Sequence, residues 1–210
     1  MGEISVPVEE SVRDVALAGF GAGLELAEQY AGLLVGEGIE WGLLGPREAD
    51  RIWERHLVNS LAIMEWVAPG SRVVDVGTGA GLPGIPLAIA RGDCRVTLVE
   101  PMERRVAFLE LCVDRLGLGD RVEVVRARAE ECRGKWDVVT CRAVAPVGRL
   151  VEWTAHLVPP GQLLAIKGER AEAEVAAAED QLARRGLKAE VVRGAVGGTA
   201  VGTVVRVRGR

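Results

Sequence analysis

Histidine, aromatic side chains and positive charge are what this 210-residue chain has least of, and each shortage removes a class of function. The two histidines, His56 and His156, lie far in sequence from Cys94, Cys112, Cys132 and Cys141, and no pair of cysteines has Cys-x-x-Cys spacing. No metal site is therefore expected, and the cysteines read as reduced core thiols. A net charge of -4 supplies no overall cationic field of the kind that holds nucleic acid by bulk electrostatics. A local patch stays open, because Arg104, Arg105, Arg126, Arg128, Arg142 and the tail Arg206, Arg208 and Arg210 are able to gather on one face. No apolar run is long enough to span a bilayer, and 1–11 carries Glu3, Glu9 and Glu10 instead of a basic apolar leader, so a cytoplasmic protein without membrane contact is expected. Aromatics make up 4% of the chain, and its tryptophans (Trp41, Trp53, Trp66, Trp136 and Trp153) are core residues by default, with no base-stacking role assigned.

What the chain does have is apolar residues and glycine. A hydrophobic fraction of 49% with 27% charged residues describes a globular protein, and the length suits a single domain. Apolar spacing of three to four over 9–35, and a second such stretch over 47–66, predict a helical extension (1–66) packed on a core (67–210). In the second helix Arg55 and Asn59 are four apart and share a face, as do His56 and Ser60. From residue 72 onward strands alternate with helices, the pattern of a parallel sheet covered on both sides. Strands are expected at 72–77, 95–100, 121–126, 136–141 and 162–167, with helices at 102–116 and 169–185 among those between them. An antiparallel pair, 188–193 and 200–207, closes the chain across a turn at 194–198.

The organising stretch is Val73-Val74-Asp75-Val76-Gly77-Thr78-Gly79-Ala80-Gly81-Leu82-Pro83-Gly84, an apolar strand running into a glycine-rich turn. Glycine lets the backbone adopt positive φ and come into contact with a ligand. The spacing is not that of the dinucleotide fingerprint, since Leu82 stands where Gly-x-Gly-x-x-Gly needs its third glycine. An ordinary strand-to-helix turn and another kind of nucleotide site are the alternatives. Asp-x-Gly-x-Gly-x-Gly, with Glu100 closing the next strand, resembles the first motif of the S-adenosylmethionine-dependent methyltransferases. On that reading Asp75, Gly77, Gly79, Gly81 and Glu100 are candidate cofactor residues, the carboxylate of Glu100 accepting the ribose hydroxyls.

The resemblance narrows with Arg55-His56-Leu57-Val58-Asn59-Ser60-Leu61, with Arg104-Arg105-Val106-Ala107-Phe108-Leu109, Arg128 to Glu131, Cys141-Arg142-Ala143 and Ile166-Lys167-Gly168. Together with the glycine stretch, these resemble the ribosomal RNA small subunit methyltransferase G family, also called glucose-inhibited division protein B, over about 49–168. The resemblance implies a Rossmann-like α/β fold: a mostly parallel seven-stranded sheet with an antiparallel C-terminal strand and the N-terminal helical extension. It implies methyl transfer from S-adenosylmethionine to N7 of one guanine in 16S rRNA, with the rRNA or the 30S subunit as partner and the chain a monomer. The family's cofactor contacts map onto Gly77, Leu82, Ala129, Glu130 and Arg142. Arg142, Arg55, His56 and Lys167 are the candidate catalytic residues. A solvated face is the alternative for Arg55, Arg104 and Lys167, and a locally bonded helix histidine for His56. A small-molecule methyltransferase and a non-catalytic nucleotide-binding module are the competing functions. Three departures from the family pattern stand out: Trp41 to Pro46 replaces an Asn-Leu-Thr segment, Cys141 replaces a common serine, and a C-terminal element is reduced to Gly198-Thr199-Ala200. They are expected to bear on substrate docking and to leave cofactor binding untouched.

No paired Asp and His and no reactive cysteine can be read from the sequence. Guanine N7 needs none, because it presents an in-plane lone pair and carries no proton.

Overall fold

The computed structural model describes residues 5–158 and 161–209. Seven strands form one sheet in the order β3-β2-β1-β4-β5-β7-β6, with β1 Arg72–Val76, β2 Arg95–Val99, β3 Val122–Val125, β4 Val138–Arg142, β5 Gln162–Lys167, β6 Leu187–Val196 and β7 Thr199–Gly209. β1 to β5 are rich in β-branched and aliphatic residues and pair in parallel, while β7 runs antiparallel to both β5 and β6. The antiparallel C-terminal strand is thus as expected.

Alternate strand residues feed two cores, one on each side of the sheet. Val73, Val96, Leu98, Val138, Leu164 and Val204 pack under the helices α1 (Arg13–Phe20), α2 (Leu24–Leu33), α3 (Gly84–Ala90) and α4 (Glu103–Arg115). Val74, Val76, Val99, Val139, Leu163, Val205 and Val207 pack under α5 (Val147–Thr154), α6 (Ala171–Ala177) and α7 (Glu179–Arg184). The first core also contains Tyr30, Ile52, Trp53 and Leu57, so the N-terminal helices share it with the sheet.

Four expectations change. The segment 46–66 is helical but irregular, with tight turns at Pro46–Arg51 and Leu61–Trp66 around a wide π-helical stretch, Ile52–Val58. His56 and Ser60 nevertheless share a face, since Ser60 Oγ donates to the His56 carbonyl at 2.5 Å. The helix expected over 169–185 is broken at Ala178 into α6 and α7. The closing hairpin is longer than its glycines suggest: Gly194 lies inside β6 beside a bulge, and the turn is Gly197 and Gly198, both at positive φ (57° and 83°). The tryptophans, expected to be mostly core, are fully enclosed only at Trp53, the other four being partly buried against the two cores.

β1 and β4 are neighbours although β2 and β3 intervene in sequence, so the direction of strand order reverses between them. Ligands in open α/β sheets bind at the carboxyl ends of strands at such a point. Asp75 pairs with Thr140 there, which sets Gly77 and Arg142 side by side two residues later.

Candidate active site

The buried carboxylate of Asp75 holds the glycine turn from below. Its Oδ2 accepts the Thr78 hydroxyl at 2.6 Å and the Gly84 backbone N–H at 2.8 Å, while Oδ1 has no partner. Burial pushes its pKa up to about 6 against the pull of those two hydrogen bonds and of Arg142. From the other side the Tyr30 hydroxyl donates to the Ala80 carbonyl at 2.7 Å, tying α2 to the turn. Gly81, at φ +100°, is packed into this support. A Cβ there would meet Ile85 Cδ1 at 2.5 Å and the Tyr30 hydroxyl at 2.9 Å. Gly79 differs: its φ is +62°, and a Cβ would meet nothing within 4 Å.

Above the turn is a cavity of about 560 Å³, whose wall includes Gly77, Gly79, Leu82, Glu100, Ala129, Glu130 and Arg142. Seven of the nine candidate cofactor residues therefore come together; Asp75 and Gly81 lie beneath the wall and shape it. Glu100 is buried, accepting the Gly79 N–H at 3.1 Å and the Met102 N–H at 3.0 Å, with Arg105 at 3.6 Å. The wall also includes Leu43, Leu44, Met102, Arg105 and Trp153. Leu43 and Leu44 bring the divergent segment 41–46 to the wall of this cavity.

A second cleft, of about 1140 Å³, lies on the other side of Arg142, Ala143 and Val144, which line both spaces. Its wall carries Arg55, His56 and Lys167 as well as Arg142, so all four candidate catalytic residues border it, together with Asn59 and with Thr199 and Ala200 of the reduced C-terminal element. Ala143 has φ +53°, a left-handed conformation that costs a non-glycine residue about 1 to 2 kcal/mol. Strain of this kind collects at binding sites.

Arg142 is clamped across the fold. Its guanidinium donates to the carbonyls of Arg55 at 3.0 Å and His56 at 3.3 Å and to His56 Nδ1 at 2.9 Å. On the far side of the buried imidazole, Nε2 lies 2.7 Å from Glu48 Oε2. Burial first, then the Arg142 charge, holds the His56 pKa below its ordinary value, with Glu48 pulling the other way. Lys167 is less available than its position suggests, for its ammonium donates to the Ala145 carbonyl and pairs with Glu174 at 2.8 Å. Glu174 accepts the Val147 N–H as well, so this pair fastens the loop after β4.

The described basic residues do not form one patch, and Arg210 lies outside the described residues. Arg206 and Arg208 sit opposite Leu164 and Gln162, toward the amino end of β5 and the sheet edge away from the cavities, and both pair with Glu190; Arg126 pairs with Glu103. All four cysteines are buried and free, and burial pushes the Cys141 thiol up to about 12. No cluster of three potential metal ligands occurs among the described residues, and no helix among them is long and apolar enough to cross a membrane.

Sequence reasoning missed Tyr30, Glu48, Ala143 and Glu174 as parts of this site. Tyr30 read as one more apolar position of a helix, and Glu48 and Glu174, eight and seven residues from His56 and Lys167, belong to none of the motifs.

Solved structures with this architecture include the magnesium protoporphyrin IX methyltransferase of Synechocystis PCC 6803 with bound SAM (TM-score 0.56, 17% identity, covering 83% of this chain and 93% of that one). Another is TYW2 of M. jannaschii in complex with AdoMet (TM-score 0.56, 19% identity, covering 74% of this chain and 76% of that one). At those identities the likeness is one of fold. Sequence relatives are nearer. The ribosomal RNA small subunit methyltransferase G of Mycolicibacterium smegmatis is 56% identical over 162 residues, 74% of this chain and 68% of the relative. That of Thermobifida fusca is 51% identical over 201 residues, 92% and 84% of the two chains. The model of the GidB family, rRNA small subunit methyltransferase G, matches residues 23–200, and the chain belongs to that family.

Proposed function

We propose that this chain transfers the methyl group of S-adenosylmethionine to N7 of one guanine in 16S rRNA, with the cofactor in the glycine-floored cavity and the guanine entering from the cleft. Family membership gives the enzyme class, an rRNA methyltransferase of the small subunit. The observation that carries the finer reading is the wall shared by the two spaces, Arg142, Ala143 and Val144, which lets a group in one meet a group in the other.

The cavity suits the cofactor by its own chemistry. Gly79 leaves a surface without Cβ atoms, and the buried Glu100 carboxylate keeps lone pairs for two ribose hydroxyls. In this reading the Ala129 amide and the Glu130 carboxylate address the adenine, and Gly77 and Leu82 contact the rest, while Asp75 and Gly81 shape the turn. When bound, the cofactor supplies an electrophilic methyl group on a sulfonium.

The chain's residues do the remainder by orientation. Arg142 carries a permanent charge, and the Nδ1 lone pair of His56 is occupied by Arg142, so neither is free to remove a proton. Guanine N7 has no proton to give. Holding it in line with the methyl group is the main contribution available, and orientation of that kind lowers barriers by about 7 to 11 kcal/mol. Lys167 and Glu174 keep the loop after β4 in place, and Arg55, half exposed at the cleft, meets the RNA backbone. Catalysis by a monomer in the cytoplasm belongs to the same proposal.

Incubation of 30S subunits with methyl-labelled cofactor tests it. N7 methylation makes the glycosidic bond labile, so borohydride and aniline should cut the labelled 16S rRNA at one position. Label in an exocyclic amine, in 23S rRNA or only in small molecules would overturn the assignment, and cofactor binding without transfer would make the chain a binding module.

A further inference from the structure

Glu48 belongs to none of the motifs that mark this chain, yet its carboxylate touches two candidate catalytic residues. Oε2 lies 2.7 Å from His56 Nε2 and Oε1 lies 3.4 Å from Arg55 Nη1. The opposite ring nitrogen, Nδ1, faces Arg142 Nη2 at 2.9 Å. A guanidinium offers only donors, so Nδ1 must present its lone pair and the ring proton must sit on Nε2. A proton on Nε2 requires an acceptor, and Glu48 is that acceptor. The other tautomer would set Nδ1–H against N–H of Arg142 and leave Nε2, with its lone pair, facing a carboxylate.

We infer that Glu48 is a positioning residue for methyl transfer: by accepting the Nε2 proton it fixes the His56 tautomer, and His56 Nδ1 then holds the Arg142 guanidinium between cofactor cavity and cleft. The chain of contacts runs Glu48, His56, Arg142, and only the last lines both spaces. The carbonyls of Arg55 and His56 accept from Arg142 Nη1 and the imidazole from Nη2, so the imidazole sets the rotation of the guanidinium about its stem. The wide turn Ile52–Val58 is what brings the ring and both carbonyls to one side. Glu48 acts on geometry and touches neither reacting partner.

This inference rests on the proposed methyltransferase reaction, but its main test does not use RNA. The chain has two histidines, so the imidazole nitrogen spectrum contains two residues, and a His156→Gln variant assigns them. Wild-type protein should show His56 neutral with the proton on Nε2. Glu48→Gln keeps an acceptor oxygen and should keep both the tautomer and the transfer rate within about twofold. Glu48→Leu removes the acceptor. It should mix the tautomers and lower kcat on 30S subunits at least tenfold, with KM for the cofactor nearly unchanged. A wild-type Nδ1–H tautomer would overturn the inference before any variant is made, including the case in which Glu48→Leu does not fold. It would also be overturned if Glu48→Leu kept the Nε2–H tautomer, or if Glu48→Gln and Glu48→Leu lost kcat equally. A failure of RNA methylation by wild type would sink the proposed function and leave the tautomer result standing.

Discussion

The two spaces that meet at Arg142 are built in opposite ways. The floor of the glycine-lined cavity is backbone, formed by the turn after β1 and by the absence of side chains at Gly77 and Gly79. The cleft is built from long side chains held by partners far away in sequence: Arg142 by His56, Lys167 by the Ala145 carbonyl, Asn59 by the Val201 carbonyl at 3.0 Å. A surface made of backbone needs a fixed residue spacing, whereas one made of clamped side chains needs only that the fold bring partners together. The first leaves a local pattern in the sequence and the second does not.

Within the cofactor floor, Gly81 and Gly79 should separate fold from binding. Gly81→Val forces a branched side chain into Ile85 and Tyr30 at φ +100°, and the melting temperature should drop by the equivalent of about 3 kcal/mol or more. A melting curve like that of wild type would mean that the turn is not packed as described.

Asp75 sharpens the same point through pH. Its folded pKa, about 6, lies above the unfolded value near 3.8, so the folded state binds the proton more tightly. Its contribution is fully present below pH 4 and is lost as pH rises from about 4 to about 6. Relative to Asp75→Asn, wild type should therefore lose about 3 kcal/mol across that window in denaturant melts. A constant difference between the two proteins would show that the carboxyl is not buried under the turn.

Glu100 is the buried carboxylate of the cavity wall and is expected to act by its charge. Glu100→Gln should weaken S-adenosylmethionine binding in calorimetry by about 1 to 3 kcal/mol, the range for hydrogen bonds to a charged group. Unchanged affinity in a folded variant would remove it from the site. The smallest effect on stability is expected at Gly79→Ala, about 1 kcal/mol of backbone strain with open space around the methyl. Its cofactor affinity should fall nonetheless, and intact affinity would show that the ligand does not approach this backbone.

The same contrast accounts for what the sequence revealed. The five parallel strands were legible because each is a short apolar run, mostly β-branched in β1 to β4, and Asp75, the glycines and Glu100 because one strand-helix-strand unit fixes their separation. Gly194 misled, since a glycine inside a bulged strand looks like one inside a turn. The wide turn Ile52–Val58 has the same apolar spacing as a regular helix and gave no signal. Ala143 carries no mark of its positive φ. Glu48 belongs to no motif, and its place beside His56 and Arg55 is seen only in the fold.

The claim on which the whole account depends is that Arg142 orients the two reacting partners across the wall they share. Lysine in its place keeps a charge but cannot reach His56 Nδ1 and two carbonyls from one planar group. The direct measurement is the single-turnover rate of methyl transfer to 30S subunits by Arg142→Lys at saturating cofactor, expressed per folded molecule. The account predicts a loss equivalent to about 2 to 4 kcal/mol with little change in melting temperature. A lowered melting temperature with near-normal turnover would contradict it and make Arg142 a structural clamp alone.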